Sequence, residues 1–137
     1  MPVTSDIAHM IEDLGHSVTS RHVVKKETTD GAWEKRYDPR RLFEREMRRL
    51  ATSDILIAEV TTPSYGGGFL IETALTIGKP VLSLHYGDNL EEAPLMLRGH
   101  PHLNLQMYTE ENVRGVLKKF FEDAKKLVVE PLPDFDQ

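Results

Sequence analysis

The chain has 137 residues, which is the length of about one domain with a hydrophobic core of its own. Its composition, with 39% hydrophobic and 28% charged residues, is that of a globular protein, and a formal net charge of -5 argues against a surface that coats nucleic acid. Cysteine is absent, which excludes disulfides and thiolate metal sites, and no apolar run approaches the roughly 20 residues of a membrane span. We therefore expect a cytoplasmic protein that has neither a nucleic-acid polymer nor a membrane as its partner.

The first third of the chain predicts a helix, a strand and a loop. Residues 5–14 place apolar side chains at i, i+3, i+4 and i+7, and Gly15 can end the helix. Residues 16–24 are rich in Val and Thr, which favours a short strand. Residues 25–37 are polar and without a period, as in a loop. The chain thus begins with a helix, whereas a doubly wound sheet normally begins with a strand and a Gly-rich turn.

A second helix is predicted to begin at Asp38-Pro39, where a capping residue precedes proline at the first helical position. Its apolar stripe is formed by Phe43, Met47, Leu50 and Ala51. Glu46 borders this stripe, and the pattern alone favours a surface glutamate in an arginine-rich helix. Given the acidic net charge, the basic face of the helix is expected to be solvated rather than bound to nucleic acid.

The second half of the chain alternates predicted strands and helices. Residues 54–60 are nearly continuous in apolar side chains, as in a central parallel strand covered on both faces. A turn over residues 61–68, rich in Gly and Ser, leads into a helix that ends near Ile77. Further strands are predicted over residues 80–86 and 103–108, with a loop and one short helix between them.

A final helix is predicted after Thr109, which can cap it, with Glu110 and Glu111 in the first turn. Its apolar face is formed by Val113, Val116, Leu117, Phe120, Phe121, Ala124 and Leu127. The sequence predicts an α/β fold, a small doubly wound, flavodoxin- or Rossmann-like parallel sheet with helices on both faces. We expect one domain over residues 1–128, followed by a loose tail over 129–137.

The turn that contains Ser64 is the strongest candidate for a ligand site. In open α/β sheets ligands bind beyond the carboxyl ends of the strands, which here are residues 22–24, 59–62, 85–86 and 108. Ser64 offers a hydroxyl, and Gly66, Gly67 and Gly68 let the backbone approach a ligand closely at a helix N-terminus. A phosphate or a sugar oxygen suits this place, and the alternative is a flexible glycine turn without a ligand.

Other candidate residues carry weaker signals. Glu59 stands at a strand end, where it either points into the cleft or is satisfied by neighbouring backbone amides. His22 stands at the carboxyl end of another predicted strand. The six histidines show no metal-binding spacing, and we expect neither a metal ion nor a cofactor.

Together these residues resemble the nucleoside 2-deoxyribosyltransferase family, and most closely its 2′-deoxynucleoside 5′-phosphate N-hydrolase branch. The match is carried by residues 53–64, which read SDILIAEVTTPS, by Gly66 and Gly68, and by residues 74–82. A weaker match includes His22, at the end of the second family strand.

The resemblance implies a small doubly wound domain, usually an oligomer and here most simply a dimer, that acts on a small nucleoside or nucleotide. It implies cleavage or transfer at the N-glycosidic bond, in which a glutamate attacks C1′ and water or another base resolves a deoxyribosyl-enzyme. Ser64 matches the serine that contacts the 5′-phosphate, and Glu46 matches a carboxylate on the helix before the central strand. Gly66 and Gly68 match the two glycines of the family's Gly-x-Gly turn, and His22, Gly66, Gly67 and Gly68 are the further substrate-binding candidates.

Three departures from the family pattern affect the functional prediction. Leu70 occupies the position of the nucleophilic glutamate, and leucine cannot attack C1′. Pro94 occupies the position of a serine that a neighbouring subunit donates to the phosphate. The first strand of the family and its Gly-Ser turn also have no counterpart, so the sheet is expected to lack that strand.

These departures leave three functions open. The first is an N-glycosidase or deoxyribosyltransferase that uses Glu46 together with Glu59 or Glu72. Because Glu72 lies about 200° around the helix from Leu70, a solvent-facing Glu72 is the favoured expectation. The second is a catalytically impaired nucleotide-binding protein of the same fold, and the third is a purely structural, oligomer-forming domain.

Overall fold

The computed structural model describes Pro2, residues 4–19 and residues 38–126. These residues divide into two compact units, one ending at Ser53 and the other beginning at Asp54. His22, the predicted loop over residues 25–37 and the predicted tail over 129–137 lie outside the described residues. Of the strand predicted over residues 16–24, only 16–19 are described, and they do not form a strand.

The first unit contains the two predicted helices, α1 (Thr4–Asp13) and α2 (Pro39–Thr52). Gly15 follows the end of α1, and its φ of 94° is the left-handed conformation that favours glycine after a helix C-terminus. Helix α2 begins as predicted, because the Asp38 side chain accepts a hydrogen bond from the backbone N–H of Arg40. Its predicted apolar stripe is buried only in part, since Leu50 is buried whereas Phe43 is exposed.

The second unit contains a parallel three-stranded sheet of β1 (Leu56–Glu59), β2 (Val81–Tyr86) and β3 (Asn104–Tyr108), in the order β1-β2-β3. The prediction of a central strand over residues 54–60 is wrong for the described strands, because β2 holds the centre. The first five residues of β2 are buried, whereas β1 is only half-buried along its length. Within the part of the sheet that the structure describes, a continuous apolar run therefore does not distinguish the edge strand from the central one.

Helices flank the sheet, and the predicted α/β fold is confirmed. Helix α3 (Tyr65–Thr76) connects β1 to β2 and packs on both strands. A short helix, α4 (Leu95–Gly99), precedes β3, and α5 (Val113–Ala124) follows β3 and packs on it. The fully buried side chains of this unit include Ala74, Leu82, Leu84, Tyr108 and Leu117. Among the described helices, none has the length and apolarity to cross a membrane.

Two predicted helix boundaries are wrong. Helix α3 begins at Tyr65, so Gly66–68 belong to its first turn and not to a preceding loop. Helix α5 begins at Val113, and Asn112 rather than Thr109 stands at the N-cap position. The Asn112 side chain instead accepts a hydrogen bond from the backbone N–H of Thr109 at 2.7 Å.

Ser83 is the one polar side chain that is fully buried in β2 without a hydrogen-bond partner among the described residues. A buried hydroxyl that makes no hydrogen bond costs free energy of folding. We therefore expect Ser83→Ala to raise the free energy of unfolding by about 1 kcal/mol. Leu84→Ala, at an equally buried apolar neighbour, is expected to lower it by about 2 to 5 kcal/mol. Urea denaturation measures both changes, and a destabilised Ser83→Ala variant would contradict the first.

Candidate functional site at the carboxyl edge of the sheet

The N-terminus of α3 has the features of an anion-binding site. Ser64 caps the helix, because its hydroxyl accepts a hydrogen bond from the backbone N–H of Gly67 at 3.0 Å. The Ser64 carbonyl accepts the first intrahelical hydrogen bond, from Gly68. The backbone N–H groups of Tyr65 and Gly66 have no partner among the described residues. Two donors, a hydroxyl hydrogen and the partial positive charge of the helix end can thus meet an anion here.

The three glycines in this first turn are not explained by backbone conformation or by packing. None of them has a positive φ angle. A Cβ atom on Gly68 would meet nothing within 4 Å among the described residues, and one on Gly66 or Gly67 would make only ordinary contact with Ser64. Glycine costs about 1 kcal/mol relative to alanine inside a helix. The absence of side chains therefore leaves open space beside the helix end, which a ligand could use.

Glu59, at the end of β1, is held by three hydrogen-bond donors. One carboxylate oxygen accepts from the backbone N–H of Thr61 at 2.7 Å. The other accepts from the Thr61 hydroxyl at 2.7 Å and from the Tyr108 hydroxyl at the end of β3. Of the two expectations for Glu59, the structure favours a carboxylate satisfied by its neighbours, and a catalytic role stays a prediction.

Tyr86 connects the end of β2 to the same group of residues. Its backbone N–H donates to the Thr61 hydroxyl at 2.9 Å, and its ring lies edge-on to that of Tyr108, with centroids 5.4 Å apart. The Tyr86 hydroxyl donates to both carboxylate oxygens of Glu110, at 2.7 and 2.8 Å. Sequence reasoning placed the strand ends at one edge, but it missed these bonds, because they join residues far apart in the chain.

Both tyrosines remain protonated hydrogen-bond donors at neutral pH. Burial, with the hydrogen bond to Glu59, raises the pKa of the Tyr108 hydroxyl. The hydrogen bond to Glu110 raises the pKa of Tyr86, and the same bond lowers the pKa of the Glu110 carboxyl.

Glu72 faces solvent, as expected, and its side chain is 58% exposed. Its carboxylate lies 3.0 Å from Nε2 of His100. The backbone N–H of His102 donates to Nδ1 of His100, so Nε2 carries the hydrogen and donates to Glu72. Glu72 lies eight residues beyond Ser64, about 12 Å along the helix axis. The structure therefore does not bring it to the Ser64 turn, and its catalytic role stays a prediction.

The remaining candidate residues lie in different parts of the chain. Leu70 lies in α3 and is half-buried. Glu46 lies in α2, in the first unit, where an oxygen of its carboxylate is 3.5 Å from a guanidinium nitrogen of Arg49. Its side chain is 19% exposed, so it is not the solvated surface glutamate that the helix pattern alone favours. Among the described residues, no cluster of three or more His, Asp or Glu side chains could hold a metal ion.

The fold and the site define an α/β protein with a helix N-terminus suited to an anion at the carboxyl edge of its sheet. No protein-family model matches the chain. It is 37% identical over 109 residues to the protein named "Putative 2′-deoxynucleoside 5′-phosphate N-hydrolase 1" of Thermofilum pendens, a match covering 80% of this chain and 74% of that protein. It is 30% identical over 123 residues to 5-hydroxymethyl-dUMP N-hydrolase of Danio rerio, covering 88% of this chain and 85% of that protein.

A Methanococcoides burtonii protein with the same name as the Thermofilum one is 30% identical over 108 residues, covering 79% of this chain and 87% of that protein. The chain therefore belongs to the 2′-deoxynucleoside 5′-phosphate N-hydrolase branch of the nucleoside 2-deoxyribosyltransferase family. The resemblance seen in residues 53–82 is confirmed.

The Tyr86–Glu110 hydrogen bond predicts a measurable pH dependence. Because the bond lowers the pKa of Glu110 in the folded state, its stabilisation is complete above the ordinary carboxyl pKa and is lost as the pH falls through the lowered value. In Tyr86→Phe the pKa of Glu110 should move up towards its ordinary range, which NMR titration measures. Tyr65→Phe, at an exposed tyrosine, is the control and should leave it unchanged.

The same variant tests the direction of the stability effect. The difference in unfolding free energy between wild type and Tyr86→Phe should shrink when the pH is lowered below about 4. A difference that stays constant with pH would contradict the assignment of the shift to this hydrogen bond.

Proposed function

We propose that this protein binds a 2′-deoxynucleoside 5′-monophosphate and hydrolyses its N-glycosidic bond. The observation that carries the proposal is the N-terminus of α3, where the amides of Tyr65 and Gly66 and the hydroxyl of Ser64 can meet three oxygens of one phosphate. The names of the relatives agree with it, because a deoxynucleoside 5′-phosphate and 5-hydroxymethyl-dUMP both carry a 5′-phosphate.

The chemistry requires a carboxylate near C1′ of the sugar, because positive charge develops there as the base leaves. Leu70 supplies no such group at the position of the family nucleophile. We propose Glu46 as the catalytic carboxylate, on the basis of its match to the family's helix carboxylate and its largely buried side chain. His22 stays a predicted substrate-binding residue, and transfer of the sugar to another base stays a prediction.

Leu70 also supports one alternative, a protein that binds the nucleotide and does not cleave it. If the protein binds the phosphate equally strongly in the ground state and in the transition state, that binding energy does not lower the barrier of the chemical step. A chain could therefore keep the site at the N-terminus of α3 and lose turnover. Measuring binding and base release separately distinguishes the two functions.

We also propose that the protein is a cytoplasmic homo-oligomer, with a dimer as the simplest form. Large apolar side chains are exposed on two helices of the second unit: Tyr65 and Phe69 on α3, and Leu95 and Met96 on α4. Exposed apolar surface of this kind often forms a protein–protein interface. A monodisperse monomer in light scattering would contradict the proposal.

The activity is tested by incubating the protein with the common deoxynucleoside 5′-monophosphates and detecting free base by chromatography. We expect release by the wild type and a loss of about 100-fold or more in Glu46→Gln, because the amide cannot stabilise the developing charge. Glu44→Gln is the matched control on the same helix, at a side chain 52% exposed that pairs with Arg40. Nucleotide binding without base release would support the alternative, and neither binding nor release would contradict both.

The phosphate site is tested by Gly68→Ala, with Gly115→Ala in α5 as the matched control. Both residues lie in helices and have open space at the Cβ position among the described residues. Each substitution should therefore raise the free energy of unfolding by about 0.5 to 1 kcal/mol. Only Gly68→Ala should reduce the increase in melting temperature that a deoxynucleoside monophosphate produces. Equal ligand-induced shifts in the two variants would contradict a phosphate at this helix end.

A further inference from the structure

Three strand ends meet at the carboxylate of Glu59. Thr61 and Tyr108 donate hydrogen bonds to it, and the Thr61 hydroxyl in turn accepts from the backbone N–H of Tyr86. We call the side chains of Glu59, Thr61 and Tyr108 the strand-end clamp. It joins β1 and β3 to each other and, through Tyr86, to β2.

The parallel register accounts for this meeting point. Glu59 pairs with Leu84, and Tyr86 pairs with Tyr108. Because side chains alternate along a strand, Glu59, Tyr86 and Tyr108 all lie on one face of the sheet. The backbones of β1 and β3 are two strand spacings apart, about 10 Å, so only long side chains can join them across β2.

The clamp fixes the path of the chain as it leaves β1. Glu59 holds both the backbone N–H and the hydroxyl of Thr61, and Thr61 is three residues before Ser64. Both hydrogen-bond donors of Thr61 are therefore bonded to Glu59, and its hydroxyl oxygen accepts a hydrogen bond from the backbone N–H of Tyr86 in β2. Residues from all three strands therefore hold Thr61, three residues before the Ser64 cap.

We propose that Tyr108 is a positioning residue for phosphate, which acts through Glu59 and Thr61 on the N-terminus of α3. This inference rests on the proposed function, because it concerns the same site. Preorganised donors bind an anion more tightly than donors that must first be ordered. Loss of the Tyr108 hydroxyl should therefore weaken the affinity for the phosphate group and spare the affinity for the rest of the nucleotide.

The test compares dissociation constants for a deoxynucleoside 5′-monophosphate and for the same deoxynucleoside, measured by calorimetry. Tyr108→Phe and Thr61→Val should each raise the constant for the monophosphate about tenfold and that for the nucleoside no more than about twofold. Thr61→Ser keeps the hydroxyl and should restore the wild-type ratio of the two constants. Tyr86→Phe is the matched control, because it removes a hydroxyl but keeps the backbone N–H that Thr61 accepts.

A second measurement needs no ligand and separates this inference from the proposed function. The amide of Thr61 is bonded to Glu59, so its hydrogen exchange should be slow in the wild type and faster in Tyr108→Phe. Wild-type protein that binds no monophosphate would contradict the proposed function. Wild-type protein that binds it, with an unchanged constant in Tyr108→Phe and Thr61→Val or an equal loss for nucleoside and monophosphate, would overturn the role of the clamp.

Discussion

The second unit depends on the parallel register, which brings the carboxyl ends of β1, β2 and β3 to one edge. Polar groups gathered at such an edge need partners, because a buried donor or acceptor without one costs free energy. The Glu59 carboxylate accepts hydrogen bonds from the hydroxyls of Thr61 and Tyr108, and the Thr61 hydroxyl accepts one from the backbone N–H of Tyr86. Thr61 is held at this edge as the chain leaves β1, and Ser64, the N-cap of α3, follows three residues later.

Local patterns predict the described helices and the strands β1, β2 and β3, because the signals for those elements lie within a few residues. The cap at Asp38 and the apolar period of α1 are of this kind, and the structure confirms both. The sequence predicts a turn that includes Gly66, Gly67 and Gly68, since glycine is a poor helix former. In the structure the Ser64 cap overrides that preference and starts the helix at Tyr65.

The contacts that define the candidate site could not be predicted in the same way. Tyr108 and Glu59 are 49 residues apart, and their hydrogen bond depends on the sheet order, which no local pattern encodes. The apolar run over residues 54–60 predicts a central strand, whereas β1 lies at an edge among the described strands. An apolar run is compatible with either position. The family resemblance predicts that Ser64 contacts a phosphate. Only the structure shows that the backbone N–H groups of Tyr65 and Gly66, beside it, have no partner among the described residues.

Under the proposed function, Ser64 and Leu70 affect different steps: Ser64 affects binding of the phosphate, and Leu70 affects the chemical step. A phosphate contact that is equally strong in the ground state and the transition state lowers KM but does not raise kcat. A nucleophile acts in the chemical step, and the side chain of Leu70, in α3, has no group that could act as one. Phosphate binding and base release are therefore two properties that have to be measured separately. For that reason affinity for a monophosphate does not measure activity. Base release by this chain would need a carboxylate at a position other than 70, for which Glu46, Glu59 and Glu72 stay the predicted candidates.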